Sequence, residues 1–301
     1  MSAKIFIDGQ AGTTGLGIAQ RLAALSHISL VTLGEAHRKS PEARAEAMAR
    51  ADLTVLCLPD DAAREAVALA PQGTRILDAS TAHRTTPGWV YGFPELVSGQ
   101  AEAIAVAPAV SNPGCYATGA IALLRPLTAL GLLTPEQQLT INAISGYTGG
   151  GKAMIADHEA HAGPAFELYA LALEHKHIPE IMEYSGLARR PVFSPSVGHF
   201  PQGMLVCIPL FLDQLPGTPN AGRLAEAYAD YYAGADNIIV QPGLFTANLQ
   251  PEVARDTDTL EIFVGGNQSY GHAILVARFD NLGKGASGAA VQNINLMLGG
   301  A

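Results

Sequence analysis

Charged residues, cysteines and long apolar runs are all scarce in this chain of 301 residues. Charged residues make up 15% of the sequence and the formal net charge is −9, so a broad basic surface for nucleic acid is not expected. The three cysteines, Cys57, Cys115 and Cys207, are far apart and odd in number, which argues against a disulfide framework. No apolar run approaches the roughly 20 residues of a membrane span, and Asp8-Gly9 interrupts the first apolar run where a cleavable signal would continue. The composition therefore favours a cytoplasmic enzyme that acts on a small molecule, without nucleic-acid or membrane partners.

The N-terminal third alternates short apolar runs with helical patterns, and 48% hydrophobic content suits one large or two ordinary domains. The predicted strands are Lys4–Asp8, Ile28–Leu33, Leu53–Leu58, Arg75–Asp78 and Ala103–Ala107, and the predicted helices are Leu16–Leu25, Pro41–Arg50 and Asp61–Ala70. This βαβ rhythm predicts the α/β class with a doubly wound parallel sheet and right-handed crossovers.

A glycine-rich loop follows the first predicted strand and opens the first predicted helix. Gly9, Gly12 and Gly15, with Thr13 and Thr14 between the last two, have the spacing G-x-x-G-x-x-G, which departs from the G-x-G-x-x-G dinucleotide fingerprint. In this strand–loop–helix context the backbone N–H groups are suited to a pyrophosphate. The alternative is a glycine-rich turn without a ligand.

The end of the second predicted strand carries opposite signals about the cofactor. Glu35 suits the ribose 2′-hydroxyl of NAD, whereas Arg38 and Lys39, with Ser40 beside them, suit the 2′-phosphate of NADP. The cations favour NADP, with a solvated turn as the alternative.

The segment from Ser111 to Thr118 carries the most pointed chemistry. Pro113 and Gly114 allow a tight turn, and Cys115 then lies at the start of a helical pattern that runs from Ala117 to Leu130. Oriented N–H groups at a helix N-terminus favour a thiolate, the reactive form of cysteine. The pattern indicates a nucleophile, and the competing interpretation is a small buried residue at a strand–helix turn.

A second glycine-rich loop follows a strand-like run at Leu139–Ile144. Gly146 to Lys152 matches G-x-x-x-x-G-K, but Ala153 stands where a P-loop needs Ser or Thr for Mg²⁺. A loop that lines a substrate or nicotinamide pocket explains it better than a nucleotide-triphosphatase site. Lys152 either aids anion binding there or is solvated.

Two histidine segments need separate interpretations. His158 and His161 are one residue too close for the H-E-x-x-H zinc motif, so we expect exposed helix residues and no metal site. His175, His177 and Glu180 lie together, and a cysteine nucleophile needs such an acid/base partner. A surface turn is the alternative for the second segment.

Taken together, these motifs resemble the N-acetyl-γ-glutamyl-phosphate reductase family over nearly the whole chain, in its shorter, second type. The landmarks are Asp8–Gly15, Cys57–Asp61, Asp78–Arg84, Val110–Thr118, Ser145–Lys152, His175–Glu180, Val197–Met204 and Asp280–Ala286. The resemblance implies NADPH-dependent reduction of an acyl phosphate in arginine biosynthesis through a thioacyl group on Cys115.

The resemblance also implies roles for further residues. The acid/base histidine is expected at His177, with His175 as the fallback, and Glu180 belongs to the same catalytic segment. The cofactor set is Gly9, Gly12, Thr13, Thr14, Gly15, Arg38, Lys39, Ser40, Leu58, Pro59, Ser145, Gly146 and Asn281. The substrate set is Arg84, Ser80, Asn112 and Lys152. A guanidinium fork suits a phosphate or carboxylate, with a surface ion pair as the alternative for Arg84.

The implied architecture is a Rossmann domain over residues 1–114, completed by a C-terminal helix within 281–301, and a catalytic and dimerisation domain over residues 115–280. The second domain is expected to be α+β with a mostly antiparallel sheet. Its predicted strands are Leu139–Ile144, Val192–Val197, Met204–Leu212, Thr259–Val264 and Gly271–Phe279, and its predicted helix is Ala221–Tyr232. The return helix is predicted over Gly285–Met297, and the broad sheet implies a homodimer or homotetramer.

Besides the nucleotide-triphosphatase function weighed for Gly146 to Lys152, two other functions compete with this interpretation. Aspartate-semialdehyde dehydrogenase shares the thioacyl chemistry, but Gly114 and Tyr116 depart from its usual cysteine turn. A catalytically inactive sensor or scaffold on the same fold is disfavoured by the intact Cys115 and the histidine segment. A carrier-linked glutamyl or aminoadipyl phosphate would present the same reacting group as the N-acetyl substrate, so the sequence leaves that choice open.

Overall fold

The structure, a computed structural model, describes residues 2–161 and 163–299, and of His161 the backbone alone. The described residues form two compact units, one within Met1–Pro113 and Ala286–Ala301 and the other within Gly114–Gly285.

The first unit is built on a six-stranded sheet in its described part. The strands are β1 (Ala3–Asp8), β2 (Ile28–Val31), β3 (Leu53–Leu56), β4 (Ile76–Asp78), β5 (Val90–Tyr91) and β6 (Ala109–Ser111). The helices from its N-terminal part are α1 (Thr13–Ala23), α2 (Pro41–Arg50), α3 (Asp60–Leu69) and α4 (Gln100–Val106). The strand order is β2-β1-β3-β4-β6-β5, and the paired strands are all parallel.

Alternating side chains of β1 build a core on each face of this sheet. Ile5 and Ile7 pack with the apolar residues of α1 and α4, whereas Phe6 packs on the other face with α2 and α3. Parallel strands buried on both faces need apolar residues at nearly every position, as the buried run Leu53–Leu56 shows. The predicted doubly wound α/β fold is thereby confirmed.

The predicted strand at Ala103–Ala107 is wrong, because the chain forms α4 there and the strand β6 follows Pro108. Alanine and glutamate favour a helix, and in this seven-residue helix Ile104 reaches the core while Val106 stays 82% exposed. Pro108 cannot continue the helix, so the extended strand starts after it.

The second unit contains a seven-stranded mixed sheet in its described part. Its strands are β7 (Thr140–Gly146), β8 (Phe166–Leu168), β9 (Val192–Gly198), β10 (Met204–Phe211), β11 (Ile238–Val240), β12 (Leu260–Asn267) and β13 (His272–Phe279). Its helices are α5 (Cys115–Ala129), α6 (Gly151–His161), α7 (Ile178–Ser185) and α8 (Ala221–Tyr231). The order is β11-β12-β13-β10-β7-β9-β8, with parallel pairing only at β7–β9 and β11–β12 among the described strands.

One face of this sheet is covered closely by helices. Gly119 of α5 approaches β10 and β13 so closely that a Cβ there would lie 2.7 Å from the Val206 side chain. On β10 the covered residues are buried, whereas alternate residues on the other face, ending with Phe211, become exposed along the strand. The sheet thus leaves an open, partly apolar face.

The chain then returns to the first unit through a π-helical turn at Gly283–Ser287 and the helix α9 (Gly288–Met297). Apolar residues of α9, among them Ala290, Ile294 and Met297, join the core cluster of α1 and α4. The Arg75 guanidinium donates hydrogen bonds to the carbonyl oxygens of Met297, Ala105 and Ala107. This side chain therefore ties the carboxyl ends of α9 and α4 together.

No helix in the described part of the chain is long and apolar enough to cross a membrane.

Candidate active site

In the first unit, the loop after β1 has the geometry of an anion-binding turn. Gly9 has φ +84°, and a Cβ there would collide with the carbonyl oxygen of Cys57. A Cβ on Gly15 would lie 2.7 Å from the Gly9 oxygen, so only glycine fits both positions. Gly12 is the N-cap of α1 and has no side-chain cap, which leaves the N–H groups of Thr13 and Thr14 at the start of the helix oriented for a phosphate.

A pocket of about 130 Å³ opens beside this loop. Its lining residues are Phe6, Ile7, Asp8, Gly9, Gln10, Ala11, Val31, Leu33, Arg38 and Leu58. The pocket combines apolar side chains with the glycine turn and the Arg38 guanidinium. Such a lining fits the adenosine half of a dinucleotide. The residues present therefore fit the predicted cofactor.

The neighbouring predicted cofactor residues differ in their surroundings. Lys39 and Pro59 are exposed, and Pro59 precedes α3 as its N-cap. The Ser40 hydroxyl caps α2: it accepts from the Ala43 N–H at 3.2 Å and donates to Glu42 at 2.7 Å. Ser40 thus already has an internal structural partner on each side, which the sequence pattern did not reveal.

Arg84 lies in a buried polar network at the carboxyl end of β4. Its Nε donates to the Asn112 carbonyl oxygen at 3.0 Å, and its side chain is 7% exposed. The predicted neighbour Ser80 donates its hydroxyl to Asp78 at 2.7 Å, and His83 Nδ1 lies 2.6 Å from the same carboxylate oxygen. The guanidinium is therefore held in a fixed orientation by its hydrogen bond.

Asp78 and His83 were not assigned by sequence reasoning, although both belong to the Asp78–Arg84 landmark. His83 stacks on Trp89 with ring centroids 4.2 Å apart. The sequence signal for this pair is a carboxylate at the end of a parallel strand with a histidine five residues later. The stack of the His83 and Trp89 rings depends on tertiary packing, so the local sequence does not indicate it.

In the second unit, Cys115 is the first residue of α5. Gly114 is the N-cap and has no side-chain cap, so the N–H groups of the first helical turn face the region of the thiol. The Gly114 N–H itself donates to Glu180 Oε2 at 3.1 Å. Glu180 is 1% exposed and belongs to α7, so a buried carboxylate holds the turn that carries the cysteine.

The structure brings the two predicted histidines to this same region. The Tyr116 ring lies 5.9 Å from the His175 ring and 6.0 Å from the His177 ring, measured between centroids. His177 is buried and immediately precedes α7. His175, His177 and Glu180 are therefore grouped around the first turn of α5.

The hydrogen bonds of the His175 ring are made within the protein. His175 Nδ1 accepts the backbone N–H of His177 at 3.2 Å, and its Nε2 lies 3.4 Å from the Tyr169 hydroxyl. Both ring nitrogens of His175 therefore have partners inside the protein, which favours an orienting role for this residue.

Two tyrosines near Cys115 are held neutral. Burial is the main cause that raises the pKa of Tyr116 far above its usual value, and the nearby Tyr169 and Cys115 act in the same direction. Burial also raises the pKa of Tyr169 to about 12. Tyr116 donates its hydroxyl to the Ser196 carbonyl oxygen at 2.9 Å, so its role here is to support the site.

The second glycine-rich loop is held by Asn281. Asn281 Oδ1 accepts from the Gly203 N–H, and its amide donates to the Thr148 hydroxyl, both at 2.9 Å. A Cβ at Gly146 would collide with the Pro201 carbonyl group. Ser145 is buried and donates to the Gly146 oxygen at 3.0 Å. Lys152 is exposed at the start of α6.

The expectation of exposed helix residues at His158 is wrong. His158 is 4% exposed, stacks on Tyr147 at 4.7 Å and places Nδ1 at 2.9 Å from His199 Nδ1. The aromatic partners come from distant segments, so the local sequence did not indicate burial. Within residues 2–161 and 163–299, no cluster of three or more potential metal-ligating side chains was found.

Cys57 and Cys207 differ from Cys115 in chemical setting. Burial, reinforced by Asp78 and Asp8, raises the pKa of the Cys57 thiol to about 12. Burial raises the pKa of Cys207 to about 11. None of the three cysteines forms a disulfide in the part of the chain that the structure describes.

The fold, the glycine turn and the cysteine at the first residue of α5 define a semialdehyde dehydrogenase type of oxidoreductase. Two protein-family models match the chain. Residues 34–105 match the semialdehyde dehydrogenase NAD binding domain, and residues 115–281 match the semialdehyde dehydrogenase dimerisation domain. An aspartate semialdehyde dehydrogenase II structure from Vibrio cholerae superposes with a TM-score of 0.74 at 13% identity, covering 99% of this chain and 98% of that one.

Full-length relatives identify the particular family. The N-acetyl-gamma-glutamyl-phosphate reductase of Brucella anthropi is 51% identical, with 99% of each chain covered. The reductase of the same name from Brucella ovis is 50% identical over 99% of this chain and all of its own length. The chain belongs to the N-acetyl-γ-glutamyl-phosphate reductase family, which confirms the resemblance seen in its motifs.

Proposed function

We propose that this enzyme reduces N-acetyl-γ-glutamyl phosphate to N-acetyl-glutamate semialdehyde and phosphate with NADPH, in arginine biosynthesis. The observation that carries the proposal is Cys115 at the first residue of α5, with the next residue, Tyr116, 6.0 Å from the His177 ring between centroids and with the Gly114 N–H bonded to Glu180. The full-length relatives named for this reaction support the choice of substrate.

The proposed chemistry begins with covalent catalysis. The Cys115 thiolate attacks the acyl-phosphate carbonyl carbon and forms a C–S bond, and the C–O bond to phosphate breaks with its electron pair leaving on phosphate. The product is a thioester on the protein. One difficult displacement is thereby divided into two easier steps.

The chain's own residues then manage charge and protons. NADPH, when bound, supplies the hydride that reduces the thioester carbon. His177 donates a proton to the resulting oxygen of the thiohemiacetal and takes it back as the C–S bond breaks. The first-turn N–H groups of α5 stabilise the Cys115 thiolate that is regenerated on the enzyme as the C–S bond breaks and the aldehyde departs.

Within the first unit, the glycine turn would hold the cofactor pyrophosphate and the pocket beside it the adenosine. Arg38 lines that pocket, which supports NADP over NAD because a guanidinium suits a 2′-phosphate. Glu35 is exposed and begins a one-turn 3₁₀ helix. Arg84 would bind the phosphate or carboxylate of the substrate, with its guanidinium oriented by the Asn112 carbonyl group.

We further propose a cytoplasmic location. Three cysteines that form no disulfide among the described residues suit a reducing compartment.

The reaction is tested in its reverse direction with the purified full chain, N-acetyl-glutamate semialdehyde, phosphate and NADP⁺. We expect formation of NADPH that requires phosphate, and a kcat/KM at least about 100-fold above that for aspartate semialdehyde, because the two differ by a buried amide and a methylene group. Substituting NAD⁺ for NADP⁺ measures the contribution of the Arg38 pocket.

Each other outcome identifies an alternative. Equal turnover of aspartate semialdehyde would assign the chain to that dehydrogenase reaction. Turnover restricted to a carrier-linked glutamyl aldehyde would retain the thioacyl chemistry and replace the substrate. If none of these aldehydes is turned over in a phosphate-dependent way, the proposed function is overturned.

We also propose that the open face of the second unit's sheet forms a homodimer interface. Phe211 is 57% exposed and Ile274 is 42% exposed on this face, and a pocket of about 280 Å³ near Cys207 and Phe263 interrupts it. Sedimentation of the purified chain is expected to give a dimer or a tetramer, and Phe211→Glu is expected to shift the mass toward the monomer. A monomeric wild type at micromolar concentration would contradict this proposal.

A further inference from the structure

Asn112, which stands three residues before Cys115, is held at four points within the first unit. Its backbone N–H donates to the Asp78 carbonyl oxygen at 2.7 Å, and its own carbonyl oxygen accepts from Arg84 Nε at 3.0 Å. Its side-chain amide donates to the Ala286 carbonyl oxygen at 3.2 Å. The fourth bond runs to its Oδ1 from Asn293 Nδ2 at 3.0 Å. The side chain is therefore engaged internally at both its oxygen and its nitrogen.

Asn293 is an unusual residue for its place on α9. It is fully buried on a helix whose neighbouring buried residues are mainly apolar. Its Nδ2 donates both to Asn112 and to the Gly92 carbonyl oxygen, the latter at 2.8 Å. A Cβ on Gly92 would lie 2.5 Å from that nitrogen, so the glycine makes room for the amide.

Packing alone does not account for this amide. Burying an amide costs free energy unless its hydrogen bonds are made, and Asn293 Oδ1 accepts none from the described residues. An apolar side chain would avoid the cost of burying Oδ1, but it would leave Asn112 Oδ1 and the Gly92 carbonyl oxygen without the donor that Nδ2 supplies. The benefit of Asn293 must lie in what its Nδ2 holds in place.

We propose that Asn293 is a positioning residue for the anion site, acting through Asn112. By fixing the Asn112 side chain it fixes the peptide whose carbonyl oxygen orients Arg84, and it anchors the chain where it leaves the first unit at Pro113. The proposal rests on the function proposed above, in which Arg84 binds the anionic group of the substrate. It assigns to the C-terminal helix a part in substrate affinity besides its part in the core.

The test compares Asn293→Leu, Asn112→Ala and the double variant in the phosphate-dependent assay. Asn293→Leu keeps the number and branching of the side-chain heavy atoms but removes the donor to Asn112 Oδ1 and to the Gly92 carbonyl oxygen, so its melting temperature is expected to fall modestly. We expect its KM for phosphate to rise about tenfold, because small displacements of an orienting group reduce productive binding. The KM for NADP⁺ is expected to stay within about twofold of the wild-type value, since the glycine turn is untouched.

The double variant shows whether the effect passes through Asn112. Asn293→Leu added to Asn112→Ala is expected to raise the phosphate KM no further, because coupled residues lose a shared interaction only once. Gln292→Ala is the matched control. Gln292 lies beside Asn293 on α9, and the substitution removes its 2.8 Å hydrogen bond to Glu95. This control is expected to leave both KM values within about twofold of the wild type.

The failing outcomes separate the two proposals. If the wild type is active and Asn293→Leu has a wild-type phosphate KM, or if the losses of the two single variants add in the double variant, the positioning role is overturned. Should Asn293→Leu fold poorly, Asn293→Ala gives a second measurement of the KM for phosphate and the KM for NADP⁺. An equal rise of both KM values in Asn293→Ala would also overturn the positioning role. A wild type that turns over no aldehyde would overturn the proposed function itself.

Discussion

Replacement of Cys115 by serine should abolish the formation of NADPH, with a loss in kcat of at least about 10³-fold. The hydroxyl of serine is not ionised at neutral pH, and a serine ester transfers its acyl group far less readily than a thioester. Binding of NADP⁺ should be unchanged, because the glycine turn and its pocket lie in the other unit. The measurement is steady-state turnover, with cofactor binding followed separately by calorimetry.

The matched control is Cys207→Ser, the same substitution at a half-buried cysteine of the same unit. It should keep activity within about twofold of the wild type. Alkylation gives an independent measurement: at pH 8 a thiol with a pKa near 11 or 12 is ionised to roughly one part in 10³ or 10⁴, so Cys207 and Cys57 should react slowly and faster as the pH rises. Faster labelling of Cys57 than of Cys115, or an active Cys115→Ser enzyme, would contradict the covalent mechanism.

Substitution of Glu180 should produce the second large effect. Glu180→Ala removes the acceptor of the Gly114 N–H and leaves that group buried, so we expect kcat to fall by about 10²-fold or more and the free energy of unfolding to fall by about 1–3 kcal/mol. Glu180→Gln keeps an oxygen that can accept the same N–H bond, so its loss in kcat should be nearer about tenfold. Turnover and thermal unfolding of both variants give the comparison.

The control for this prediction is Glu183→Gln on the same helix, where the carboxylate is exposed. Its activity should match the wild type. A structural role alone would lower the melting temperature of Glu180→Ala while the alkylation rate of Cys115 stayed unchanged. We expect that rate to fall as well, because the turn that holds the thiol at the helix start is loosened.

Much of the fold could be predicted because its signals are local. The run Leu53–Leu58 is apolar at nearly every position, as a strand buried on both faces requires, and the strand observed there is β3. The glycine spacing after β1 likewise marks a loop with a left-handed residue, and Gly9 has φ +84°. Where two local structures were both compatible with the residues, as at Ala103–Ala107, the sequence pattern predicted the wrong one.

The pairing of distant side chains could not be predicted in the same way. His158 looked like an exposed helical residue, because its partners Tyr147 and His199 come from other segments. The hydrogen bond between Glu180 and the Gly114 N–H joins residues 66 positions apart. The local spacing of residues in the sequence does not indicate such a contact.

The sequence by itself determined the family, the doubly wound sheet and the identity of the candidate nucleophile, because these depend on motifs whose parts lie within a few residues of one another. Only the tertiary structure decided which buried groups hold that machinery: Glu180 on the cysteine turn, and Asn293 on Asn112. The physical reason is that a buried polar group is stable only beside its hydrogen-bond partner. That partner is chosen by how helices and sheet pack, so it can lie anywhere along the chain.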